Sequence, residues 1–218
     1  MLQRILEPEV MDSADEARDY DSMDHSAVNR LFVDDLLSAG EIGEDILDLG
    51  TGTAQIPIEL CRRNQDCRIM AVDLSISMLD LARYNIEIAG VIQRVFLEHI
   101  DAKRLPQADD TFDAVISNSI IHHIPEPFVV LREAVRVTAP GGLLFFRDLS
   151  RPASDAEVTR LVETYAGEEN ERQRQMFDDS LRAALAIDEI RDLVTQLGFS
   201  ADTVQPNSDR HWTWTARK

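Results

Sequence analysis

The sequence predicts an α/β protein with a doubly wound, mostly parallel sheet of seven strands, in which a C-terminal hairpin supplies an antiparallel strand. Apolar runs alternate with helical patterns over 45–149, which is typical of right-handed β-α-β crossovers. The runs at 114–117 and 143–146 are almost wholly apolar, as strands covered on both faces are. The tail after residue 199 instead contains two strand patterns joined by a Pro-Asn-Ser-Asp turn, and a hairpin needs antiparallel neighbours.

The first elements precede this alternating region. Residues 1–24 are acidic and weakly patterned, and we expect an arm or lid with little helix of its own. Residues 26–38 have one apolar face and predict the first helix, which Gly40 and Gly43 are expected to end. The apolar face consists of Val28, Leu31, Phe32, Leu36 and Leu37.

The alternating region has local signals at several element ends. Pro57 falls within the first turns of a helix, where proline is tolerated. Ser75 or Ser77 caps the next helix and Gly90 ends it. A Pro-Gly-Gly exit follows the helix after that. The strands are expected at 45–50, 67–75, 94–102, 112–120 and 143–149, and the helices at 54–63, 75–90 and 127–142.

The C-terminal third of the chain changes character. Residues 150–186 are charged and helical in pattern, and because they follow the fifth strand we expect a lid over the carboxyl edge of the sheet. Residues 186–199 predict a last helix that stops at Gly198. Trp212 and Trp214 share one face of the last strand, so we expect them to pack against a helix.

Composition and charge narrow the classes of partner. The formal net charge is −18, from 40 acidic and 22 basic residues, and such a surface repels the phosphate backbone of nucleic acids. No stretch of the sequence approaches a membrane span, and residues 1–24 lack the apolar core of a signal peptide. The two cysteines, Cys61 and Cys67, provide no disulfide framework, so a cytoplasmic location is the simplest expectation.

A glycine turn follows the first predicted strand. It reads DLGTGTAQ over 48–55 and exposes bare backbone where a ligand can approach. A dinucleotide fingerprint needs a third glycine where Gln55 stands, whereas Asp73, at the end of the next strand, is placed to hold a pair of ribose hydroxyls. The turn and Asp73 together predict a nucleoside ligand without a pyrophosphate.

These features resemble class I S-adenosylmethionine-dependent methyltransferases, in particular the small-molecule branch that includes ubiquinone and menaquinone biosynthesis enzymes. The Asp-x-Gly-x-Gly turn, the strand end AVDLS, the segment 100–124 and the exit RVTAPGGLLFF match the family in order over about 44–149. Two positions depart from it, since Ala54 replaces a third glycine of the turn and Ile100 replaces a glycine before Asp101.

The resemblance implies one domain with a Rossmann-like fold and S-adenosylmethionine as cofactor. The expected divisions are an arm and helix at 1–40, a cofactor-binding core at 44–149, the lid at 150–186, and the last helix with the hairpin at 187–218. The backbone amides of 50–52 are expected to approach the carboxylate of the cofactor, and Asp73 is expected to accept both ribose hydroxyls.

The remaining cofactor contacts surround the adenine. The ring is expected between Leu74 and Met78, with Asp101 and Ala102 at its amino edge. The full expected set is Asp48, Gly50, Thr51, Gly52, Gln55, Asp73, Leu74, Met78, Asp101, Ala102, Asn118 and Tyr20. Three carboxylates keep an alternative explanation, because Asp48 and Asp101 also fit local turns and Asp73 also fits a cap of the following helix.

Methyl transfer is a direct displacement at carbon, so the enzyme mainly aligns acceptor, methyl and sulfur. A general base is needed only when the acceptor must lose a proton. The expected catalytic residues are His122, His123 and Tyr20, with structural support of the loop as the alternative for the histidines; Asp148 and His25 are further candidates. Adjacent histidines alone lack a third ligand, so no metal site is expected.

The acceptor is expected to be a small organic molecule held between Tyr20, His122, Arg147 and Phe177. Met176, Phe177 and Leu181 share a helical face that either lines this space or docks the helix on the core. A catalytically inactive, S-adenosylmethionine-binding regulatory module is the alternative function, and a nicotinamide-dependent oxidoreductase is disfavoured by Gln55. The acceptor, its attacking atom and the oligomeric state stay open, with a homodimer among the alternatives.

Overall fold

The computed structural model describes residues 2–8, 17–19, 21 and 26–218. The strands are β1 (Asp45–Leu49), β2 (Arg68–Asp73), β3 (Val95–His99), β4 (Phe112–Asn118), β5 (Thr138–Leu149), β6 (Val204–Pro206) and β7 (His211–Arg217). The helices are α1 (Ser26–Ser38), α2 (Gln55–Arg63), α3 (Ile76–Ala89), α4 (Pro127–Val137), α5 (Asp155–Ala166), α6 (Glu171–Ala183) and α7 (Ile187–Gln196). Short 3₁₀ helices lie at Ile121–His123 and Ala201–Thr203.

The strands form a seven-stranded sheet in the order β3-β2-β1-β4-β5-β7-β6. Strand β1 pairs in parallel with both β2 and β4, and the β2–β3 and β4–β5 pairs are parallel as well. Strand β7 runs antiparallel to both β5 and β6, which confirms the predicted fold class and its antiparallel hairpin. The chain order reverses between β1 and β4, and a crevice at such a switch point is where sheets of this kind bind ligands.

Alternate residues of the strands feed two apolar layers, one on each face of the sheet. Leu47 and Phe146 belong to the layer that also contains Trp212 and Trp214. The ring of Trp214 meets that of Phe199, just after α7, at a centroid distance of 5.3 Å. Both tryptophans are buried in the same layer as Ile190 and Val194 of α7, as the predicted packing against a helix requires. The opposite layer joins the strands to α1, α2 and α3 through Phe32, Leu36, Ile46, Ile58, Ala82 and Phe145.

Local signals set both ends of α3. The Ser75 hydroxyl accepts a hydrogen bond from the N–H of Met78 at 3.1 Å, so Ser75 rather than Ser77 caps α3. Gly90 ends that helix with a φ of 70°, a left-handed conformation that glycine adopts without strain. Pro57 lies at the third position of α2, as predicted.

Two expectations are corrected. Leu31 is 53% exposed and Val33 is buried, so the apolar face of α1 is rotated from the predicted one. The Pro-Gly-Gly segment is also part of a strand, because α4 ends at Val137 and β5 begins at Thr138. The pairing with β4 shifts register there, from Phe112 opposite Thr138 to Ala114 opposite Leu143, and this irregularity absorbs the segment that the sequence predicted as an exit turn.

Candidate active site

A cavity of about 720 Å³ lies at the carboxyl ends of the parallel strands. Its walls come from the turn after β1, the segments that follow β2, β3 and β4, the helices α5 and α6, and the N-terminal segment at Glu7 and Pro8. The predicted cofactor residues that line it are Asp48, Gly50, Thr51, Gly52, Gln55, Asp73, Leu74, Met78, Asp101, Ala102 and Asn118. Tyr20 and His25, also named by the sequence, lie outside the described residues.

The turn after β1 lies tightly against β2. The N–H groups of Gly50 and Thr51 both donate to the carbonyl of Val72 at 2.9 Å. The N–H of Gly52 donates to Asp73 Oδ2 at 2.8 Å. The expectation that these three amides point to the carboxylate of a cofactor is therefore wrong, because the neighbouring strand already accepts their hydrogen bonds.

Glycine is needed at position 50 because of its backbone conformation and because no space is left for a side chain. Its φ is +69°, and a Cβ placed there would lie 1.9 Å from Cγ2 of Ile120. Ile120 belongs to the segment after β4 and also lines the cavity. No sequence pattern marks this contact, because the two residues are distant in the chain and meet only when β1 and β4 pair.

We expect Gly50→Ala to be about 2 kcal/mol less stable than Gly90→Ala, since inserting a methyl into a packed site costs roughly that amount. The two glycines have nearly equal φ, +69° and +70°, but a Cβ at Gly90 meets nothing within 4 Å. Urea unfolding of both variants measures the difference. Adding Ile120→Ala to Gly50→Ala should recover part of it; equal stability of the two single variants would show that the contact with Ile120 does not matter.

Asp73 organises the end of β2. Its Oδ2 accepts from the N–H of Gly52 and its Oδ1 from the N–H of Ser75, each at 2.8 Å. Burial raises its pKa, and backbone hydrogen bonds oppose that rise. The alternative that Asp73 caps α3 is excluded, because Ser75 is the cap. Each carboxylate oxygen can accept more than one hydrogen bond, so both oxygens can still accept from a ligand.

Asp48 is 2% exposed. Burial raises the pKa of its carboxyl to about 7, the Thr51 hydroxyl opposes that rise, and the charge of Asp73 adds to it. The Oδ1 atom of Asp101 accepts from the N–H of Lys103 at 2.9 Å and lies 3.0 Å from the Lys103 ammonium. The local turn that the sequence left open at Asp101 is thus formed.

His122, His123 and Asp148 form a buried cluster with Glu7. His122 is 3% exposed, and its Nδ1 lies 2.5 Å from Asp148 Oδ1. Its Nε2 is 3.4 Å from Glu7 Oε1, and His123 Nδ1 is 3.1 Å from the same oxygen. Asp148 Oδ2 accepts from the N–H of Ile121 at 2.6 Å, which fixes the carboxylate beneath the histidines.

The two adjacent histidines differ in the direction of their pKa shifts. Burial opposes protonation of His122, but the Asp148 carboxylate outweighs burial and raises the pKa of the imidazole. Burial and the neighbouring His122 lower the pKa of His123 to about 3. Burial raises the pKa of Glu7. His123 is therefore a neutral imidazole near pH 7, beside a histidine held by a carboxylate.

The N-terminal segment is fixed against the cluster by Arg4. Its Nε donates to the carbonyl of Ala183 at 2.6 Å, and an Nη donates to the carbonyls of His122 and Ile124 at 3.0 Å each. Neither Arg4 nor Glu7 was predicted from the sequence as a site residue. No local pattern marks them, since their partners lie more than 110 residues away along the chain.

The predicted lid forms part of the cavity wall, but only some of its apolar residues face the cavity. Met176 and Phe177 line the cavity, whereas Leu181 is fully buried in a cluster with Leu149 and Leu161. His211, at the start of β7, also lines the cavity, and the sequence analysis did not single it out. Burial, with the nearby Arg210 charge, lowers the pKa of His211 to about 4.

Arg147 does not face the cavity, which corrects the expectation that it borders the acceptor. Its side chain is buried, with 3% of the residue exposed, on the face of the sheet that packs against α1. One Nη donates to Asp35 Oδ2 at 2.6 Å, and Nε donates to the Thr213 hydroxyl at 3.0 Å. The guanidinium also lies over the ring of Phe32 at 5.6 Å, so it ties α1 to the sheet.

Comparison with known proteins gives consistent matches. Residues 47–146 match the family described as methyltransferase domain. A 27-O-demethylrifamycin SV methyltransferase of Amycolatopsis mediterranei is 29% identical over 180 residues, 81% of this chain and 62% of that protein. A demethylmenaquinone methyltransferase of Mycolicibacterium paratuberculosis is 38% identical over 112 residues, 51% of this chain and 44% of that protein. The chain thus spans less than two thirds of the length of either relative.

Among solved structures, an S-adenosylmethionine-dependent methyltransferase from Aquifex aeolicus superposes with a TM-score of 0.67 and 16% identity. The superposition covers 94% of this chain and 98% of that one, and at this identity it shows the fold. Within the described part of the chain, no helix combines the length and apolar character needed to cross a bilayer.

Proposed function

We propose that this chain is a class I S-adenosylmethionine-dependent methyltransferase and transfers the methyl group of that cofactor to a small organic acceptor. The sulfonium methyl carbon forms a bond to the acceptor, and its bond to sulfur breaks to leave S-adenosylhomocysteine. One observation carries the proposal. The eleven predicted cofactor residues within the described chain surround a single cavity, whose far wall holds the histidine cluster and the lid.

The donor is proposed to lie across the ends of β1, β2 and β3. Asp73 would accept the two ribose hydroxyls with the capacity left after its backbone bonds, and the adenine would lie between Leu74 and Met78. Asp101 would meet the adenine amino group through Oδ2, because Oδ1 is engaged by Lys103. The buried Asp48 beside Asp73 places negative potential near a donor that carries a sulfonium and an ammonium.

The acceptor is proposed to occupy the part of the cavity between the histidine cluster and α6. Met176 and Phe177 supply apolar contacts there, and His122, His123 and His211 supply polar ones. We propose that His122 and His123 handle the proton of the acceptor. Tyr20 keeps its predicted role as a proposal without structural support, since it lies outside the described residues.

The proposed enzyme is a single domain, located in the cytoplasm, with an acceptor that is not a nucleic acid. A single domain with a core at 44–149 and a lid at 150–186 is supported by the shared cavity. A cytoplasmic location is supported by the free thiols of Cys61 and Cys67, whose sulfurs are 4.0 Å apart. The charge of −18 supports an acceptor other than nucleic acid. A homodimer stays a prediction, which sedimentation equilibrium of the purified chain would test.

Methyl transfer from radiolabelled S-adenosylmethionine to a panel of small hydroxylated and quinoid acceptors tests the function. We expect label in at least one product together with binding of S-adenosylhomocysteine by calorimetry, and no thermal shift with NAD. Tight donor binding without turnover on a broad panel would favour the regulatory module. Absence of donor binding would contradict the proposal outright.

Once an acceptor is found, Phe177→Ala should raise its KM about tenfold and leave the donor Kd unchanged, because losing one aromatic contact costs about 1.5 kcal/mol. Phe96→Ala is the matched control, since Phe96 is 48% exposed on the edge strand β3. Steady-state kinetics and donor calorimetry on both variants provide the measurement. An unchanged KM in Phe177→Ala would place the acceptor elsewhere in the cavity.

A further inference from the structure

Three ligand-type side chains from distant parts of the chain converge on one wall of the cavity. They are Glu7 of the N-terminal segment and the adjacent His122 and His123 after β4. One carboxylate oxygen and one nitrogen of each ring lie within 4.8 Å of one another. No metal site was expected from the sequence, because the two histidines lacked a third ligand. In the fold, Glu7 lies beside both of them.

The separations fit those of ligands around one ion. Ligand atoms bound at 2.0–2.2 Å to a tetrahedral or octahedral centre lie roughly 3.0–3.5 Å apart. Glu7 Oε1 is 3.1 Å from His123 Nδ1 and 3.4 Å from His122 Nε2. The ring nitrogens of His122 and His123 lie within 4.8 Å of each other, so the two rings must adjust for all three atoms to bind one ion.

Two of the three ligand atoms are buried without a hydrogen-bond partner. Among the described residues, neither Glu7 Oε1 nor His123 Nδ1 forms a hydrogen bond. The other oxygen of Glu7 accepts from the Ser180 hydroxyl at 3.3 Å, so the carboxylate is oriented while Oε1 stays directed at the histidines. Buried polar atoms without partners are costly, and a bound cation would satisfy both.

Asp148 and Arg4 hold the three side chains in position, as residues behind the ligands do in metal sites. His122 Nδ1 lies 2.5 Å from Asp148 Oδ1. In the neutral imidazole that donates Nδ1–H to this carboxylate, the lone pair of Nε2 is directed towards Glu7. Metal-bound histidines commonly donate their other N–H to a carboxylate in this way. Arg4 holds the backbone carbonyl of His122 and so brings the segment that carries Glu7 to the same place.

We propose that Glu7, His122 and His123 bind a divalent transition-metal ion of the zinc or iron(II) class, with open coordination positions that face the cavity. Two imidazoles and a carboxylate suit such ions better than Mg²⁺ or Ca²⁺. The use of those positions by an oxygen atom of the methyl acceptor rests on the proposed function. It would replace proton handling by His122 Nε2 and His123 Nδ1, because the ion would occupy these two atoms. The binding of the ion itself does not.

The test is a titration of tag-free, chelator-stripped protein with Co²⁺ and Zn²⁺ in a large excess of Mg²⁺, which occupies the acidic surface. We expect one ion per chain and visible Co²⁺ absorption bands with nitrogen ligation. Glu7→Gln and His123→Asn should each weaken binding at least tenfold, and Asp148→Asn 10- to 100-fold. His99→Asn should bind like the wild type, since His99 is exposed and outside the cluster.

Circular dichroism of each variant shows whether it is folded, and either Glu7→Gln or His123→Asn suffices to decide. Absence of stoichiometric Co²⁺ binding by the wild type, or unchanged affinity in a folded ligand variant, overturns the inference. Calorimetry of S-adenosylhomocysteine on the stripped protein separates the two proposals. Donor binding without metal binding rejects the metal site alone, whereas metal binding without donor binding rejects the proposed function and leaves the metal site standing.

Discussion

Replacing Asp73 with alanine should weaken binding of S-adenosylmethionine about a hundredfold. Hydrogen bonds to an ionised group are worth about 1.5–3 kcal/mol each, and two of them to the ribose hydroxyls correspond to at least about a hundredfold in Kd. The carboxylate is well placed for this, because Gly52 and Ser75 hold it from the turn side. The Kd of Asp73→Asn should lie between those of the wild type and Asp73→Ala, since asparagine retains one carbonyl acceptor.

Calorimetry with S-adenosylhomocysteine on each variant measures the effect. Asp73→Ala also removes the acceptor for two backbone N–H groups, so thermal unfolding without ligand must show that the variant is folded at the temperature used. Asp80→Ala is the matched control, because Asp80 lies on α3 with 65% of its side chain exposed and pairs only with Arg83 among the contacts described. Near-normal affinity in a folded Asp73→Ala variant would remove the ribose contact from the proposal.

The parts of the fold that the sequence predicted depend on local and periodic signals. A serine cap at Ser75 or Ser77 and a stop at Gly90 were predicted for α3, and the structure selects Ser75 as the cap. The apolar strand runs and the late hairpin predicted a mostly parallel sheet with an antiparallel strand, which the strand pairing confirms. The positions of Asp73, Asp101 and Asn118 follow from this, because carboxyl ends of parallel strands meet at one edge.

What the sequence did not predict depends on contacts between distant segments. Glu7 and Arg4 lie in a stretch without helical or strand periodicity, so nothing local marks them as neighbours of His122. The turn amides were misjudged for a related reason. Glycine predicts bare backbone, but only the register of β1 against β2 shows that Val72 accepts two of those hydrogen bonds. Arg147 likewise follows the strand pleat away from the cavity, towards Asp35.

Asp48 should make the protein less stable as pH rises from about 4 to about 7, because burial raises its folded-state pKa from 3.8 to about 7. Below both values the folded and unfolded chains are equally protonated, and the contribution of Asp48 is fully favourable. Between them only the folded chain keeps the proton, so this stability is lost as pH rises through the folded pKa. Its total is about 4 kcal/mol at about 1.4 kcal/mol for each pKa unit.

Asp48→Asn removes this titration, so the difference in unfolding free energy between variant and wild type should shift by about 4 kcal/mol in favour of the variant across that pH range. Urea unfolding at several pH values measures it, with the exposed Asp202→Asn as control. A difference that does not change with pH would mean that Asp48 ionises normally in its buried position.

The carboxyl of Asp48 should also make donor binding depend on pH. Donor affinity should rise with pH, whereas the stability of the free protein falls. A donor with a sulfonium and an ammonium favours the ionised form of Asp48, so binding should release a proton near pH 7. The wild-type Kd should then fall as pH rises from about 5.5 to about 7.5, while that of Asp48→Asn should stay higher and nearly constant. The variant would thus be more stable and bind more weakly, because the buried acid that destabilises the empty fold is the one that the cationic donor needs.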